Sequence, residues 1–266
     1  MDRIGFIGMG NMGSAMLKGA LKSFSPADIT FYDPDEDKRN VVSSETHVIA
    51  SDSAQDCAKD VKYLVLAIKP QVYDSVAKDI WNVITQDHVI ISLAPTVSID
   101  QLEEMYGAKT RVIRAMPNTP AMVGEGMTGL AAKDDTFTQD ELGTVVKFFE
   151  SFGKCKFVPE GLMSSVVCAS GSSPAYVYIF IEALADSCVK YGMSRQDAYE
   201  FAAQAVYGSA KMVLETGENP AKLKDNVCSP GGTTIRAVEA LEENGFRNAI
   251  YKATKACFDK CEGRED

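Results

Sequence analysis

Ile4-Gly5-Phe6-Ile7 runs directly into Gly8-Met9-Gly10-Asn11-Met12-Gly13, and beyond it Met12, Ala15, Met16, Gly19 and Ala20 recur at helical spacing. A short apolar strand, a GxGxxG turn and a helix in immediate succession admit few folds. The glycines permit the tight turn and let backbone N–H groups approach a pyrophosphate at the positive end of the helix. Alone, the motif is also met as a plain strand–helix turn. Here Ile29–Tyr32 supplies a second strand, and Asp33 closes it where an acidic residue can bind an adenosine ribose. A dinucleotide cradle is therefore the expectation.

Strand and helix patterns continue to alternate. Tyr63–Ile68, Val89–Leu93 and Arg111–Met116 read as strands, with helices over Val72–Ile84 and Ile99–Tyr106. A third short apolar stretch, Val48–Ala50, precedes Ser53, a plausible helix N-cap. Met127–Ala132 and Lys154–Val158, flanking a helix over Asp140–Ser151, read as the far edge of the sheet. After about Gly161 strand patterns cease. Helices are expected over Tyr176–Tyr191 and Ser194–Thr216, from Asn219-Pro220, and over Thr233–Glu243 and Phe246–Cys261. The fold class expected is α/β: a Rossmann-like, doubly wound parallel sheet over 1–160, followed by an all-helical domain over 161–266. The helices carry more apolar surface than so small a bundle can hide, which predicts self-association.

Composition narrows the function. In 266 residues, 37 acidic against 27 basic side chains give a net charge of −10, so phosphate backbones are repelled and nucleic acid is not an expected partner. Any anion site must be local, built from backbone N–H groups or a helix N-terminus. His47 and His88 are the two histidines; each is expected as a partly exposed residue beside a strand, outside any catalytic motif. Seven scattered cysteines without CxxC pairs or zinc-ligand spacing predict reduced thiols and no metal site. The longest unbroken apolar run, Ala175–Ile181, is too short to cross a bilayer, and Met1-Asp2-Arg3 has no export-signal pattern; a cytoplasmic protein is expected.

Further motifs refine the site. A carboxylate at Asp33 accepts hydrogen bonds from a ribose 2′-hydroxyl and repels a 2′-phosphate, which leans towards NADH. Lys38 and Arg39 would offset this if turned inward, although a solvated helix face is the simpler reading. Ala67-Ile68-Lys69-Pro70 lies at the carboxyl end of a central strand, where Lys69 either contacts a cofactor or caps a loop. In Ala115-Met116-Pro117-Asn118-Thr119-Pro120, two prolines bracket two polar side chains, presented to a nicotinamide or serving a structural turn. Cys228-Ser229-Pro230-Gly231-Gly232-Thr233-Thr234 leads into a helix and can form a carboxylate or phosphate cradle; an ordinary capped helix start is the alternative. Gly171-Ser172-Ser173-Pro174 reads as a structural kink before a long helix.

Together these segments resemble the pyrroline-5-carboxylate reductases. The resemblance spans the chain and rests on Ile4–Gly13, Arg114–Pro120, Gly171–Tyr176 and, above all, Leu223-Lys224-Asp225-Asn226-Val227-Cys228-Ser229-Pro230-Gly231-Gly232-Thr233-Thr234. It implies hydride transfer from NAD(P)H to the C=N carbon of 1-pyrroline-5-carboxylate, giving L-proline. It also implies a homodimer through the helical domain, possible assembly into a ring of dimers such as a decamer, and a small-molecule substrate. By the same resemblance Val227, Ser229, Gly231, Gly232, Thr233 and Thr234 hold the substrate carboxylate, with the Thr234 hydroxyl beside the ring nitrogen as the catalytic group. Ile7, Gly8, Met9, Gly10, Asn11, Met12, Ala67, Ile68, Lys69, Pro70, Asn118 and Thr119 contact the cofactor or line the reaction site, with Asp33 at its ribose. One departure stands out: Leu93-Ala94-Pro95-Thr96-Val97 replaces the Ala-Ala-Gly-Val turn usual near the cofactor.

The chemistry agrees. A ring nitrogen that arrives protonated needs little general acid, so the lack of a motif histidine is no obstacle. Two alternatives remain open. A 3-hydroxyacid dehydrogenase would need a basic lysine at a glycine-rich helix start, whereas Lys211 sits inside a helical pattern. A non-catalytic dinucleotide-sensing protein would leave Ser229–Thr234 without a purpose.

Overall fold

Buried strands of a sheet covered on both faces need apolar residues at successive positions, half pointing each way. The computed structural model, which describes residues 3–107, 110–133 and 136–264, shows this pattern; Met1 and Asp2 of the expected leaderless start lie outside them. The strands are β1 (Ile4–Ile7), β2 (Ile29–Tyr32), β3 (Tyr63–Leu66), β4 (Val89–Ser92), β5 (Arg111–Met116), β6 (Gly126–Ala132) and β7 (Gly153–Phe157). They form one sheet in the order β2-β1-β3-β4-β5-β6-β7. The first five are mutually parallel, β6 runs antiparallel to β5, and β7 is parallel to β6. The carboxyl ends of β1, β3, β4 and β5 thus lie side by side, the edge at which open α/β sheets bind ligands.

Helices α1 (Asn11–Ala20), α2 (Glu36–Thr46), α3 (Ala54–Lys59), α4 (Tyr73–Ile80), α5 (Ile99–Tyr106) and α6 (Gln139–Glu150) complete the winding. Ile4, Phe6, Val65, Ile91 and Ile113 share one core with Met16 and Leu17 of α1 and Phe148 and Phe149 of α6. Ile7, Leu64, Leu66, Ile90 and Val112 share the other with residues of α3, α4 and α5. Phe148 anchors the first core, with ring centroids 5.8 Å from Phe6, 5.0 Å from Phe149 and 5.4 Å from Phe152.

The Val48–Ala50 stretch makes one bridge, Phe31 to Ala50, and is not a strand of the sheet. His47 does not open a strand: it ends α2 in the left-handed conformation (φ 59°). His88 is buried rather than partly exposed. Its Nδ1 lies 2.9 Å from the Thr85 N–H, which it must accept, so Nε2 carries the proton donated to the Ala58 carbonyl at 3.0 Å. The histidine is spent on tying α3 to the start of β4.

A short helix, α7 (Met163–Val166), and a π-helical turn (Val167–Gly171) lead to α8 (Ser173–Lys190), α9 (Arg195–Thr216), α10 (Pro220–Val227), α11 (Thr233–Glu243) and α12 (Phe246–Cys261). Ser194 caps α9 through the Asp197 N–H, and Gly217 ends it with φ 64°, as the capping pattern requires. The chain divides into two compact units, one running to Ser172 and including the chain from Phe258, the other spanning Ser173–Cys257. In the second unit only Ala185, Ala198 and Ala202 are fully buried among the described residues, while Tyr178, Ile179, Phe201 and Leu214 are exposed. One helical stretch, Glu160–Lys190, is long and apolar enough to cross a membrane by length and composition, although its longest apolar run is short.

Candidate active site

The β1–α1 junction builds a cradle from backbone. Gly8 adopts φ 98°, and a methyl group added there would lie 2.6 Å from the Ala67 carbonyl oxygen. A Cβ on Gly13 would lie 2.2 Å from the Gly8 carbonyl oxygen, so Gly8 is demanded by packing against the end of β3 and Gly13 by packing within the turn. Gly10 differs: a Cβ there would meet nothing within 4 Å. Space over an exposed glycine at a helix start is what close approach by a ligand requires. The first helical hydrogen bond runs from Ser14 N–H to the Gly10 carbonyl at 2.9 Å, and α1 has no side-chain cap. The amides of Asn11, Met12 and Gly13 therefore precede the ladder and point out of the helix end. These residues fit a dinucleotide pyrophosphate. Ile7 and Met9, each 2% exposed, keep their side chains in the core and can face a ligand only with backbone.

Asp33 is 5% exposed. Its Oδ2 accepts the Met9 N–H at 2.7 Å and its Oδ1 the Asp35 N–H at 3.0 Å, so the carboxylate fastens the glycine-rich turn to the end of β2. Lys38 and Arg39 are not a solvated face. Lys38 Nζ stands 3.4 Å from both Asp33 oxygens, and Arg39 Nη1 donates to the Asp33 carbonyl at 2.8 Å. The buried negative charge draws the nearest cations of α2 inward.

At the end of β3 the Ala67 N–H bonds the Ile7 carbonyl at 2.9 Å. Ile68 is half-buried, while Lys69 and Pro70 are exposed at the start of a 3-10 turn. Past β5, Asn118 and Thr119 behave differently. Asn118 is buried: Nδ2 donates to the Ser170 carbonyl at 3.0 Å and Oδ1 accepts the Met127 N–H at 2.9 Å. Its side chain is therefore not presented to a cofactor, because two backbone groups of adjoining segments claim it; Thr119 is the exposed member of the pair. Ser170 belongs to the π-helical turn, and Gly171 there packs against Met116, so the kink is tied to this loop.

One constellation was not expected from the sequence. Arg114 of β5, nearly buried, donates from Nη1 to Glu160 Oε1 and from Nη2 to the Pro95 carbonyl, each at 2.8 Å. Glu160 Oε1 also accepts the Ile99 N–H at 2.8 Å, so the turn from β4 to α5 is held at both ends. Arg114 lies in a motif quoted above, but no sequence signal pairs it with Glu160.

The second group lies in the other compact unit. Val227 ends α10, Ser229 and Pro230 are exposed, and the Gly232 N–H closes a turn on the Ser229 carbonyl at 3.0 Å. Gly231 has φ 71°. Gly232 takes the cap position of α11 without a side-chain cap bond, leaving the first-turn amides of Thr233, Thr234 and Ile235 directed outward. Thr233 is exposed and Thr234 half-buried. An uncapped helix start bearing two hydroxyls suits a carboxylate.

Comparison with known proteins agrees with this geometry. A family model described as pyrroline-5-carboxylate reductase dimerisation matches residues 160–263, and one described as NADP oxidoreductase, coenzyme F420-dependent, matches 3–96. A pyrroline-5-carboxylate reductase from Escherichia coli is 46% identical over 98% of this chain and 97% of its own, and one from Methanosarcina acetivorans 40% over 95% and 94%. The solved structure of the Coxiella burnetii pyrroline-5-carboxylate reductase superimposes with a TM-score of 0.92 at 30% identity, covering 100% and 99% of the two chains. That of Plasmodium falciparum pyrroline carboxylate reductase with NADP bound gives 0.88 at 31%, covering 100% and 98%. With the cradle after β1, the uncapped start of α11 and relatives matched from end to end, the chain belongs to the pyrroline-5-carboxylate reductase family.

Proposed function

We propose that Thr234 and the start of α11 carry the substrate chemistry of this chain, and that the turn after β1 holds the cofactor. The chain is an oxidoreductase of proline biosynthesis that reduces the C=N bond of 1-pyrroline-5-carboxylate with NAD(P)H. The observation that carries the site assignment is the uncapped α11 N-terminus behind Gly231-Gly232.

When bound, the reduced nicotinamide supplies the hydride. The chain's own residues bind and orient. Outward amides at Asn11, Met12 and Gly13 hold the pyrophosphate over the open face of Gly10, with Ile7, Gly8 and Met9 shaping the turn. Ala67, Ile68, Lys69, Pro70 and Thr119 border the crevice at the carboxyl edge of the sheet, and Asn118 sets the loop that presents Thr119. The amides of Thr233 and Thr234, with Val227, Ser229, Gly231 and Gly232 forming the preceding turn, clamp the substrate carboxylate. The Thr234 hydroxyl accepts a hydrogen bond from the protonated ring nitrogen and fixes the face of the ring.

The finer organisation follows from the same reading. Residues 1–160 act as the dinucleotide-binding domain and 161–266 as the dimerisation and substrate-binding domain. The exposed apolar faces of α8 and α9 meet a second copy of the chain rather than lipid, giving a cytoplasmic homodimer able to assemble further into a ring. Lys211, well inside α9, gives no support to hydroxyacid oxidation. The test is loss of NADH and NADPH absorbance on mixing the protein with 1-pyrroline-5-carboxylate. Rapid oxidation is expected; none with either cofactor, despite dinucleotide binding, would refute the substrate assignment.

A further inference from the structure

The acidic residue that closes β2 sits where Rossmann sheets receive the adenosine ribose, and a bare carboxylate there rejects a 2′-phosphate. In this chain the carboxylate is not bare. Asp33 is committed to two backbone amides, Met9 at 2.7 Å and Asp35 at 3.0 Å, and Lys38 Nζ faces both oxygens. Each Lys38 contact is 3.4 Å, longer than the roughly 2.7–2.9 Å of a committed charge-assisted bond. The Lys38 side chain is 40% exposed against 7% for Asp33, so the ammonium cancels the buried charge while still reaching solvent. Arg39 is occupied differently: its guanidinium bonds the Asp33 and Pro34 carbonyls and lies over the Tyr32 ring.

The neighbouring acids do not restore the negative field. Asp35, Glu36 and Asp37 are exposed, and the Asp35 carboxylate caps the Lys38 N–H at 3.1 Å. Charges in water are screened, whereas the buried Asp33 is screened far less. Its neutralisation therefore decides the sign of the corner.

We propose that Lys38 sets the cofactor range of this chain: paired with Asp33, it admits a 2′-phosphate that Asp33 alone would repel, so that NADPH binds as well as NADH. The inference rests on the dinucleotide reading of the β1–α1 cradle and replaces the lean towards NADH that Asp33 alone suggests.

The test is calorimetric titration of the full-length protein with 2′,5′-ADP and with 5′-AMP, without substrate or turnover. Wild type binds both. Lys38→Met weakens 2′,5′-ADP by roughly tenfold or more and leaves 5′-AMP within about threefold. Adding Asp33→Asn, which keeps an oxygen for the Met9 N–H, brings 2′,5′-ADP back to within about threefold of wild type. The proposal fails if wild type rejects 2′,5′-ADP, if Lys38→Met weakens both ligands alike or neither, or if the second substitution does not restore binding. Binding of neither ligand by wild type refutes the cradle itself and the proposal with it, whereas an unreactive imine leaves this result untouched.

Discussion

Arg114 and Glu160, 46 residues apart in sequence, meet through Nη1 and Oε1 at 2.8 Å. The pair, with its bonds to Pro95 and Ile99, fixes the turn between β4 and α5 beside the ligand edge of the sheet. Glu160→Ala strands a nearly buried guanidinium and leaves the Ile99 amide without its acceptor. Its expected cost is about 2 kcal/mol, below the fully buried case because Glu160 is partly exposed. Glu160→Gln keeps an acceptor and costs less. Urea denaturation of the two variants measures this, and equal midpoints would contradict it.

Thr234→Ala is expected to lower kcat at least tenfold, about 1.4 kcal/mol of transition-state stabilisation, with little change in dinucleotide affinity. Steady-state kinetics and a dinucleotide titration separate the two effects. Near-normal turnover would remove Thr234 from the mechanism.

Glu141, at the opposite end of the sheet, is a buried carboxylate. Burial pushes its pKa up, but the Thr138 amide, Arg111 and Lys62 outweigh it and hold the group down to about 2. The unfolded carboxyl titrates near its ordinary value of about 4.3. A depressed folded pKa means the stabilisation is complete above that value and is lost as pH falls through about 2. Acid titration of stability should slope through this window and flatten there in Glu141→Gln. Parallel slopes would show that other carboxylates carry the effect.

Burial pushes the Cys57 thiol up to about 12, and its S–H donates to the Phe6 carbonyl. Little thiolate exists at pH 8, so iodoacetamide should modify Cys57 roughly a hundredfold more slowly in the native protein than in urea. Peptide mass spectrometry over a time course would reveal comparable rates if the site opens readily.

Where local pattern decides structure, the sequence is easy to read. Arg111–Met116, Ile99–Tyr106, Thr233–Glu243 and Phe246–Cys261 form the elements expected, because apolar periodicity marks each of them and, in α5, the Ser98 cap agrees with it. The sequence places Lys38 and Arg39 on a helix face but gives α2 no bounds: the helix buries only Val42 and Thr46, so no apolar stripe marks it. His88, Asn118 and the Arg114–Glu160 pair were illegible because their partners come from distant segments. Helical patterning begins near Gly161, yet the first compact unit continues to Ser172. Val166 packs on Gly129 and Gly171 on Met116, so these early turns belong spatially to the sheet. The cradle glycines are legible because the positive φ of Gly8 and the contact of Gly13 with the Gly8 carbonyl are local demands, although Gly8 also meets Ala67.

The second unit, whose complete burial amounts to three alanines, has a thermodynamic consequence. So small an interior cannot offset the conformational entropy of ordering five helices. Folding of this half and encounter with another chain are then a single bimolecular event. Its melting temperature rises with protein concentration, and simple dilution acts on it as a denaturant does on a monomer.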